Sequence, residues 1–156
     1  MDKPVKRKQL WGFMAAQEFA LISPEHHDEF LLQYQLPILK EFGLVAYGCC
    51  EDLTRKIDML KQIPNLRRIS VSPFANVEKC AEASGGKYVL SFRPRPAHLV
   101  GDNWKKVARN DLQQGIETLK GTSFDITLKD VETLENDENR AKEWVQLARE
   151  VMAEIC

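Results

Sequence analysis

Short apolar runs alternate along the chain with longer stretches whose apolar residues recur at helical spacing. Four runs have the length and alternation of strands, and they cover 44–48, 68–72, 87–92 and 124–128. Residues 11–13 match the end of a further strand. Helices are predicted over 24–42, 53–60, 76–84, 107–119 and from about 136 to the C-terminus. Strands that alternate with helices predict right-handed crossovers and a parallel sheet.

The first helix has the clearest start and end signals. Ser23 is its predicted N-cap, Pro24 is its first helical residue, and Gly43 ends it. Its apolar residues recur at helical spacing, and they are Phe30, Leu31, Tyr34, Ile38 and Phe42.

The pattern predicts an α/β fold but allows two architectures. One is a compact four-stranded doubly wound domain, although no glycine-rich phosphate loop follows the first strand. The other is the C-terminal half of a (β/α)8 TIM barrel, with about four parallel strands alternating with helices. In both, residues 11–156 form one domain, and residues 1–10, with the basic run 3–8, form a flexible tail or linker.

Composition and charge limit the partners and the compartment that we expect for this protein. The net charge is −1, so no excess of positive charge favours nucleic acid or a membrane surface as a partner. No apolar stretch approaches the roughly 20 residues of a membrane span. The four cysteines have no framework spacing, which predicts reduced thiols in a cytoplasmic protein. Half of a barrel would have open sheet edges, so we expect a homo-oligomer.

Polar and reactive residues follow each predicted strand. In βα folds the carboxyl ends of the strands form the site, so these side chains should share one rim. The candidates are Tyr47, Cys49, Cys50 and Glu51 after the first strand, Ser72 after the second, Arg93 and Arg95 after the third, and Lys129 and Asp130 after the last.

The residue types suggest two kinds of chemistry at this rim. Thiolates and a carboxylate at 49–51 are ligands that zinc accepts, provided that a neighbouring strand adds a third. The alternative is that one cysteine packs in the core and Glu51 caps the next helix. Arg93 and Arg95, held by flanking prolines, could bind carboxylates or phosphates, or lie in an ordinary surface loop. Solvent exposure is predicted for His26, His27 and His98.

Several segments together resemble the C-terminal half of the uroporphyrinogen decarboxylase superfamily. They are 21–25, 37–43, 64–73, 128–133 and the segment Tyr-Gly-Cys-Cys-Glu at 47–51, which is similar to the signature of an uncharacterised subgroup. The resemblance implies a (β/α)8 barrel, of which this chain would hold the last four or five units. The superfamily also includes corrinoid-linked, zinc-dependent methyltransferases.

The chain departs from the patterns of both activities. Where the methyltransferases have a His-x-Cys pair, this sequence has Tyr47 and Cys49, and Lys129 and Asp130 stand where a further cysteine ligand would lie. A zinc site would therefore use a rearranged ligand set. The decarboxylases have Gly-His-Gly where this chain has residues 129–131, which argues against true uroporphyrinogen decarboxylation.

The resemblance and the rim residues lead to one leading hypothesis and two alternatives. The leading one is that the full-length parent is a corrinoid-linked methyltransferase with a zinc-thiolate site, a small-molecule substrate and a corrinoid protein as partner. In it Cys49 and Cys50 bind metal; Glu51, Lys129 and Asp130 are catalytic; and Tyr47, Ser72, Arg93 and Arg95 bind substrate. The alternatives are a decarboxylase of a tetrapyrrole or other polycarboxylate, and a non-catalytic half-barrel that self-associates. The chain alone is expected to be inactive.

Overall fold

The computed structural model describes residues 4–156 and contains one parallel sheet. Its strands are β1 (Trp11–Met14), β2 (Leu44–Tyr47), β3 (Leu66–Val71), β4 (Val89–Phe92) and β5 (Phe124–Ile126). The spatial order is the chain order, and all four pairings are parallel. The predicted α/β class is confirmed. The sheet has five strands and not about four, because residues 11–14 form a complete strand that pairs with β2.

Helical segments precede, connect and follow the strands. They are α1 (Pro24–His27), α2 (Gln33–Leu39), α3 (Ile57–Leu60), α4 (Val77–Ser84), α5 (Trp104–Leu119) and α6 (Asn139–Ile155), with 3-10 turns at Arg7–Gln9, Gln17–Phe19 and Pro96–Leu99. Ser23 caps α1 as predicted, since its Oγ accepts a hydrogen bond from the backbone N–H of His26 at 3.3 Å. Among the described residues, no helix is both long enough and apolar enough to cross a membrane.

The first predicted helix is divided by a π-helical turn over Asp28–Leu32, and its apolar stripe is only partly buried: Phe42 packs against the core, but three other members are exposed. Phe30, Tyr34 and Ile38 are 50–71% exposed. The residues that pack on the sheet are Leu32, Leu36 and Leu39. The sequence contains two apolar stripes at helical spacing, and the periodicity of either one is sufficient for burial. Only the docking of the helix on the sheet selects between them.

The helices cover one face of the sheet. The side chains on this covered face belong to the larger apolar core, and they are Val45, Tyr47, Ile69, Val71, Leu90 and Phe92. Residues from α2, α3, α4 and α5 complete this core. A second core joins α5 and α6 through Leu112, Ile116 and Trp144, beside β5. Right-handed connections between successive neighbouring strands place every connecting helix on the same side of the sheet.

The opposite face, here called the open face, is not covered by any helix within residues 4–156. Because side chains alternate along a strand, Trp11, Phe13 and Leu44 lie on it, and they are 54%, 59% and 42% exposed. Arg68 and Asp125 occupy the other end of this face and form a bidentate ion pair with two N–O distances of 2.7 Å.

The N-terminal segment contacts the connection between α2 and β2. The side chain of Lys8 donates a hydrogen bond to the carbonyl oxygen of Lys40 at 3.0 Å, and Arg7 forms an ion pair with Glu41. Residues 1–3 of the predicted basic tail lie outside the described residues.

Candidate active site at the carboxyl ends of the strands

Side chains from three separate loops meet at the carboxyl-terminal rim of the sheet. Cys49 and Cys50 follow β2, Arg93 follows β4, and Lys129 and Asp130 follow β5. They are joined by direct contacts between residues as far as 80 positions apart in the chain. The rim therefore brings together two thiols, three charged side chains and their loops, as the alternation of strands and helices predicts.

A tight turn fixes the position of the two cysteines. Gly48 has a φ of +95°, and a Cβ atom there would lie 2.5 Å from Leu53 Cδ1. Only glycine fits, because a side chain would be strained both by the backbone conformation and by the contact. The turn is held from both sides: the Gly48 N–H donates to the carbonyl of Met14 at 2.9 Å, and Ser70 Oγ donates to the carbonyl of Gly48 at 2.6 Å.

Glu51 stabilises this turn by accepting hydrogen bonds from the backbone. Its carboxylate is 2% exposed and accepts hydrogen bonds from the backbone N–H of Ala16 at 2.8 Å and of Cys49 at 2.7 Å. Both oxygens are thus engaged by backbone donors. Glu51 lies close to the thiols in sequence, but in this arrangement its carboxylate orients the backbone of Cys49 and does not face the pocket.

The two thiols lie side by side in different surroundings. Their sulfur atoms are 3.6 Å apart. The ammonium of Lys129 contacts the Sγ of Cys49 directly and lies 3.3 Å from the Sγ of Cys50. The thiol of Cys50 donates a hydrogen bond to a carboxylate oxygen of Asp130 at 2.8 Å. Lys129 therefore lies nearer to the sulfur of Cys49, and only the sulfur of Cys50 also contacts an anion.

These neighbours move the pKa values of the two thiols in opposite directions. Partial burial acts to raise the pKa of Cys49, but the hydrogen bonds from Lys129, Cys50 and Arg93 outweigh it and bring the pKa below its usual value. Burial and the hydrogen bond to Asp130 both raise the pKa of Cys50. In turn, contact with Cys49 raises the pKa of Lys129. The surroundings thus favour ionisation of Cys49 and oppose ionisation of Cys50.

Arg93 brings a buried positive charge to the same place. Its side chain is 7% exposed, and its Nη1 donates to the carbonyl oxygen of Cys49 at 2.5 Å. Its Nε is buried and has no hydrogen-bond partner among the described residues. A buried guanidinium N–H without a partner is costly unless an anion or water satisfies it, so Arg93 favours an anionic ligand at this point.

Two cavities adjoin Arg93 and Arg95. The thiol cavity, of about 320 Å³, has polar walls formed by Cys50, Arg93, Arg95, Lys129, Asp130 and Glu132, and apolar walls formed by Phe74, Ala97 and three prolines. The neighbouring cavity, of about 360 Å³, lies between the start of α4 and the side of α5. Both sizes are suitable for small molecules. The exposed side chain of Arg95 lines both cavities.

Two of the predicted substrate-binding residues lie away from the thiol cavity. Tyr47 is buried on the covered face, where its hydroxyl donates to Gln35 Oε1 at 2.8 Å and pairs with His27 Nε2 at 2.9 Å. Ser72 lines the neighbouring cavity and accepts a hydrogen bond from the N–H of Phe74 at 3.3 Å.

His27 is fully buried, so its predicted exposure is wrong. Burial and the nearby ammonium of Lys56 lower its pKa from 6.5 to about 4. The amphipathic pattern of the helix does not predict this burial, because His27 is hydrogen-bonded to Tyr47, which belongs to a different element, β2.

The residues present do not fit the predicted zinc site. Within residues 4–156, no group of three or more His, Cys, Asp or Glu side chains is placed to hold a metal ion. Two features of the rim explain this. Both oxygens of the Glu51 carboxylate accept hydrogen bonds from backbone N–H groups, so they are not free to bind a metal ion. The Lys129 ammonium contacts the two sulfur atoms at the place where a metal ion would have to bind.

Comparison with known protein families and with curated proteins found no match to this chain. The resemblance to the uroporphyrinogen decarboxylase superfamily thus stays a prediction from the motifs in the sequence.

Proposed function

We propose that this chain is the C-terminal portion of a uroporphyrinogen-decarboxylase-like enzyme. The support is architectural: consecutive parallel strands with every helix on one face are how successive βα units of a (β/α)8 barrel are arranged. In this proposal the open face corresponds to the barrel interior. The thiol cavity lies at the carboxyl ends of the strands, where barrel enzymes have their active sites.

The proposed reaction is transfer of a methyl group from a corrinoid-linked donor, with the Cys49 thiolate as the nucleophile. The observation that carries this proposal is the contact between the Lys129 ammonium and the Cys49 sulfur. The sulfur lone pair would form the new S–C bond, and the donor would keep the electron pair of the bond that breaks. The Cys49 proton leaves to solvent before this step, and the contact with Lys129 favours that ionisation. Lys129 thus supplies the positive charge that zinc supplies in a zinc-thiolate site.

Methylation of the chain by methylcobalamin tests this reaction. We expect a methyl group on the peptide that contains Cys49, lost in Cys49→Ser and slowed roughly tenfold in Lys129→Met, because less thiolate is present at neutral pH. Lys142→Met, a change at an exposed position of α6, is the control and should leave the rate unchanged. If iodoacetamide labels Cys49 readily while methylcobalamin does not, the corrinoid donor is rejected.

The unsatisfied Nε of Arg93 favours decarboxylation of a polycarboxylate as a second candidate. Arg93 and Arg95 would hold carboxylates, and the ammonium of Lys129 lies in the same cavity as a proton donor. Calorimetry with citrate as a probe should show binding that Arg93→Met abolishes and Arg95→Met weakens. Released CO₂ with a tetrapyrrole carboxylate would favour this candidate over methyl transfer.

The open face favours a third candidate, a non-catalytic half-barrel that pairs with a second copy. Trp11, Phe13 and Leu44 expose apolar surface there, and β1 and β5 are both edge strands. Sedimentation should show a dimer that Phe13→Ser weakens, while Tyr34→Ser, at an exposed site on α2, leaves it intact. A monomer at all concentrations would remove this candidate.

A further inference from the structure

The four cysteines of the chain occupy four different environments. Cys80 is fully buried, and burial raises its pKa to about 11. Cys156 is exposed at the C-terminus. Only Cys49 and Cys50 lie beside each other, partly exposed, with a cation and an anion at their sulfur atoms. This pairing is not required by packing, since one small apolar residue would fill the same turn.

We propose that Cys49 and Cys50 form a redox-active dithiol that a hydroperoxide converts reversibly into a disulfide. Cys49 is the residue that reacts with the oxidant, and Cys50 is the residue that resolves the product. The proposal depends on the 3.6 Å separation of the sulfur atoms and on their opposite neighbours. It does not depend on methyl transfer or decarboxylation, because it needs no substrate other than the peroxide.

In the first step the Cys49 thiolate attacks the distal oxygen of the hydroperoxide. An S–O bond forms, the O–O bond breaks, and the leaving alkoxide or hydroxide takes a proton from solvent. Cys49 becomes a sulfenic acid and the peroxide is reduced to an alcohol or water. Lys129 and Arg93 place positive charge beside the sulfur, which favours the thiolate and stabilises the negative charge that develops on the leaving oxygen.

In the second step the Cys50 sulfur attacks the sulfenic sulfur of Cys49. The S–S bond forms, the S–O bond breaks, and hydroxide leaves as water. The Asp130 carboxylate, which already accepts the Cys50 thiol hydrogen at 2.8 Å, takes up the proton and passes it to the departing hydroxide. Overall, two thiols and one hydroperoxide give one disulfide, one alcohol or water, and one further water. The sulfur atoms need to approach from 3.6 Å to about 2.05 Å, and the backbone at 49–50 must adjust, because adjacent Cα atoms lie about 3.8 Å apart, closer than in most disulfides.

The thiol cavity reaches Cys50 and the Lys129 ammonium, and that ammonium contacts the Cys49 sulfur behind it. The volume of this cavity, about 320 Å³, admits hydrogen peroxide or a small organic hydroperoxide. Oxidation would remove the thiolate from the candidate active site. A reducing agent would regenerate the dithiol and, with it, the Cys49 thiolate. The pair would therefore switch thiolate chemistry at the rim off and on reversibly.

Peptide mapping by mass spectrometry after treatment with one equivalent of hydrogen peroxide at neutral pH tests the proposal. We expect the peptide with Cys49 and Cys50 to lose two hydrogen atoms and to regain them with dithiothreitol. Cys156 and Cys80 serve as internal references, and both should react more slowly than Cys49. Oxidation at Cys156 ahead of Cys49, or a sulfenic acid at Cys49 that persists and is captured by dimedone in the unaltered chain, would overturn the proposal.

Variants separate the two steps. In Cys50→Ser the sulfenic acid of Cys49 should accumulate and react with dimedone, and in Cys49→Ser the peroxide reactivity of the turn should fall to that of Cys156. Lys129→Met should slow the first step roughly tenfold. Asp130→Asn should slow disulfide formation more than it changes the first step, because Asp130 accepts the thiol hydrogen of Cys50. Lys142→Met is the matched control for loss of one lysine. Equal rates for Lys129→Met and the unaltered chain would also contradict the proposal.

Discussion

The two faces of the sheet differ in how they are stabilised. On the covered face, side chains of β2, β3 and β4 are buried against helices in a continuous apolar core. On the open face, β2 exposes Leu44, and β3 and β5 present the Arg68–Asp125 ion pair, which is partly open to solvent. Apolar packing therefore stabilises the sheet mainly from the covered face. The open face, which carries apolar and charged groups without cover, is available for another surface.

The largest expected effect comes from removing the same side chain from each face. Leu90 on β4 is fully buried on the covered face, whereas Leu44 on β2 is 42% exposed on the open face. Leu90→Ala should lower the free energy of unfolding by about 3 kcal/mol, since it leaves a cavity in the core. Leu44→Ala should cost less than about 1 kcal/mol. Urea denaturation of both variants measures the contrast, and similar losses would mean that the open face is also covered.

The next effect, of similar or smaller size, is a loss of folding stability at acidic pH. It arises from His27, which is buried on the covered side of the sheet. The pKa of His27 is about 4 in the folded chain and 6.5 in the unfolded chain. Between these values the unfolded state binds more protons, so stability is present above pH 6.5 and is lost as the pH falls towards 4. The loss should be on the order of 3 kcal/mol.

Urea denaturation at several pH values measures this loss, with two matched variants. His27→Gln should remove the part of the pH dependence that His27 causes. His26→Gln, at the neighbouring exposed position, should leave it unchanged. Equal pH profiles for all three proteins would show that His27 is not the group that titrates.

The smallest effect is expected from the ion pair on the open face. The bond to Arg68 lowers the pKa of Asp125 despite the opposing effect of partial burial. Because Arg68 and Asp125 are 33% and 38% exposed, their coupling should be only about 1 kcal/mol. A double-mutant cycle with Arg68→Met and Asp125→Asn measures it, and 1 M salt should reduce it. A coupling several times larger would mean that the pair is shielded from water by another surface.

The convergence of Cys49, Arg93 and Asp130 was predictable, because parallel strands end at the same rim. The roles of the individual residues at this rim could not be predicted as well from the sequence. Glu51 follows the thiols directly, yet its carboxylate binds the backbone of two loops, one of them 35 residues away. No pattern in the sequence predicts such a contact. Likewise, Phe30 and Leu36 both lie on apolar stripes of the same helical region, but only Leu36 is buried.

The sequence by itself determined the alternation of strands and helices, their approximate bounds, and the set of residues at the carboxyl ends of the strands. Spacing of apolar residues and start and end signals are local properties, so they can be read from neighbouring positions. The tertiary structure alone decided which helix stripe faces the sheet, that His27 is buried, and which thiol meets Lys129 and which meets Asp130. Those outcomes depend on distances between residues far apart in the chain, which packing fixes and local sequence does not.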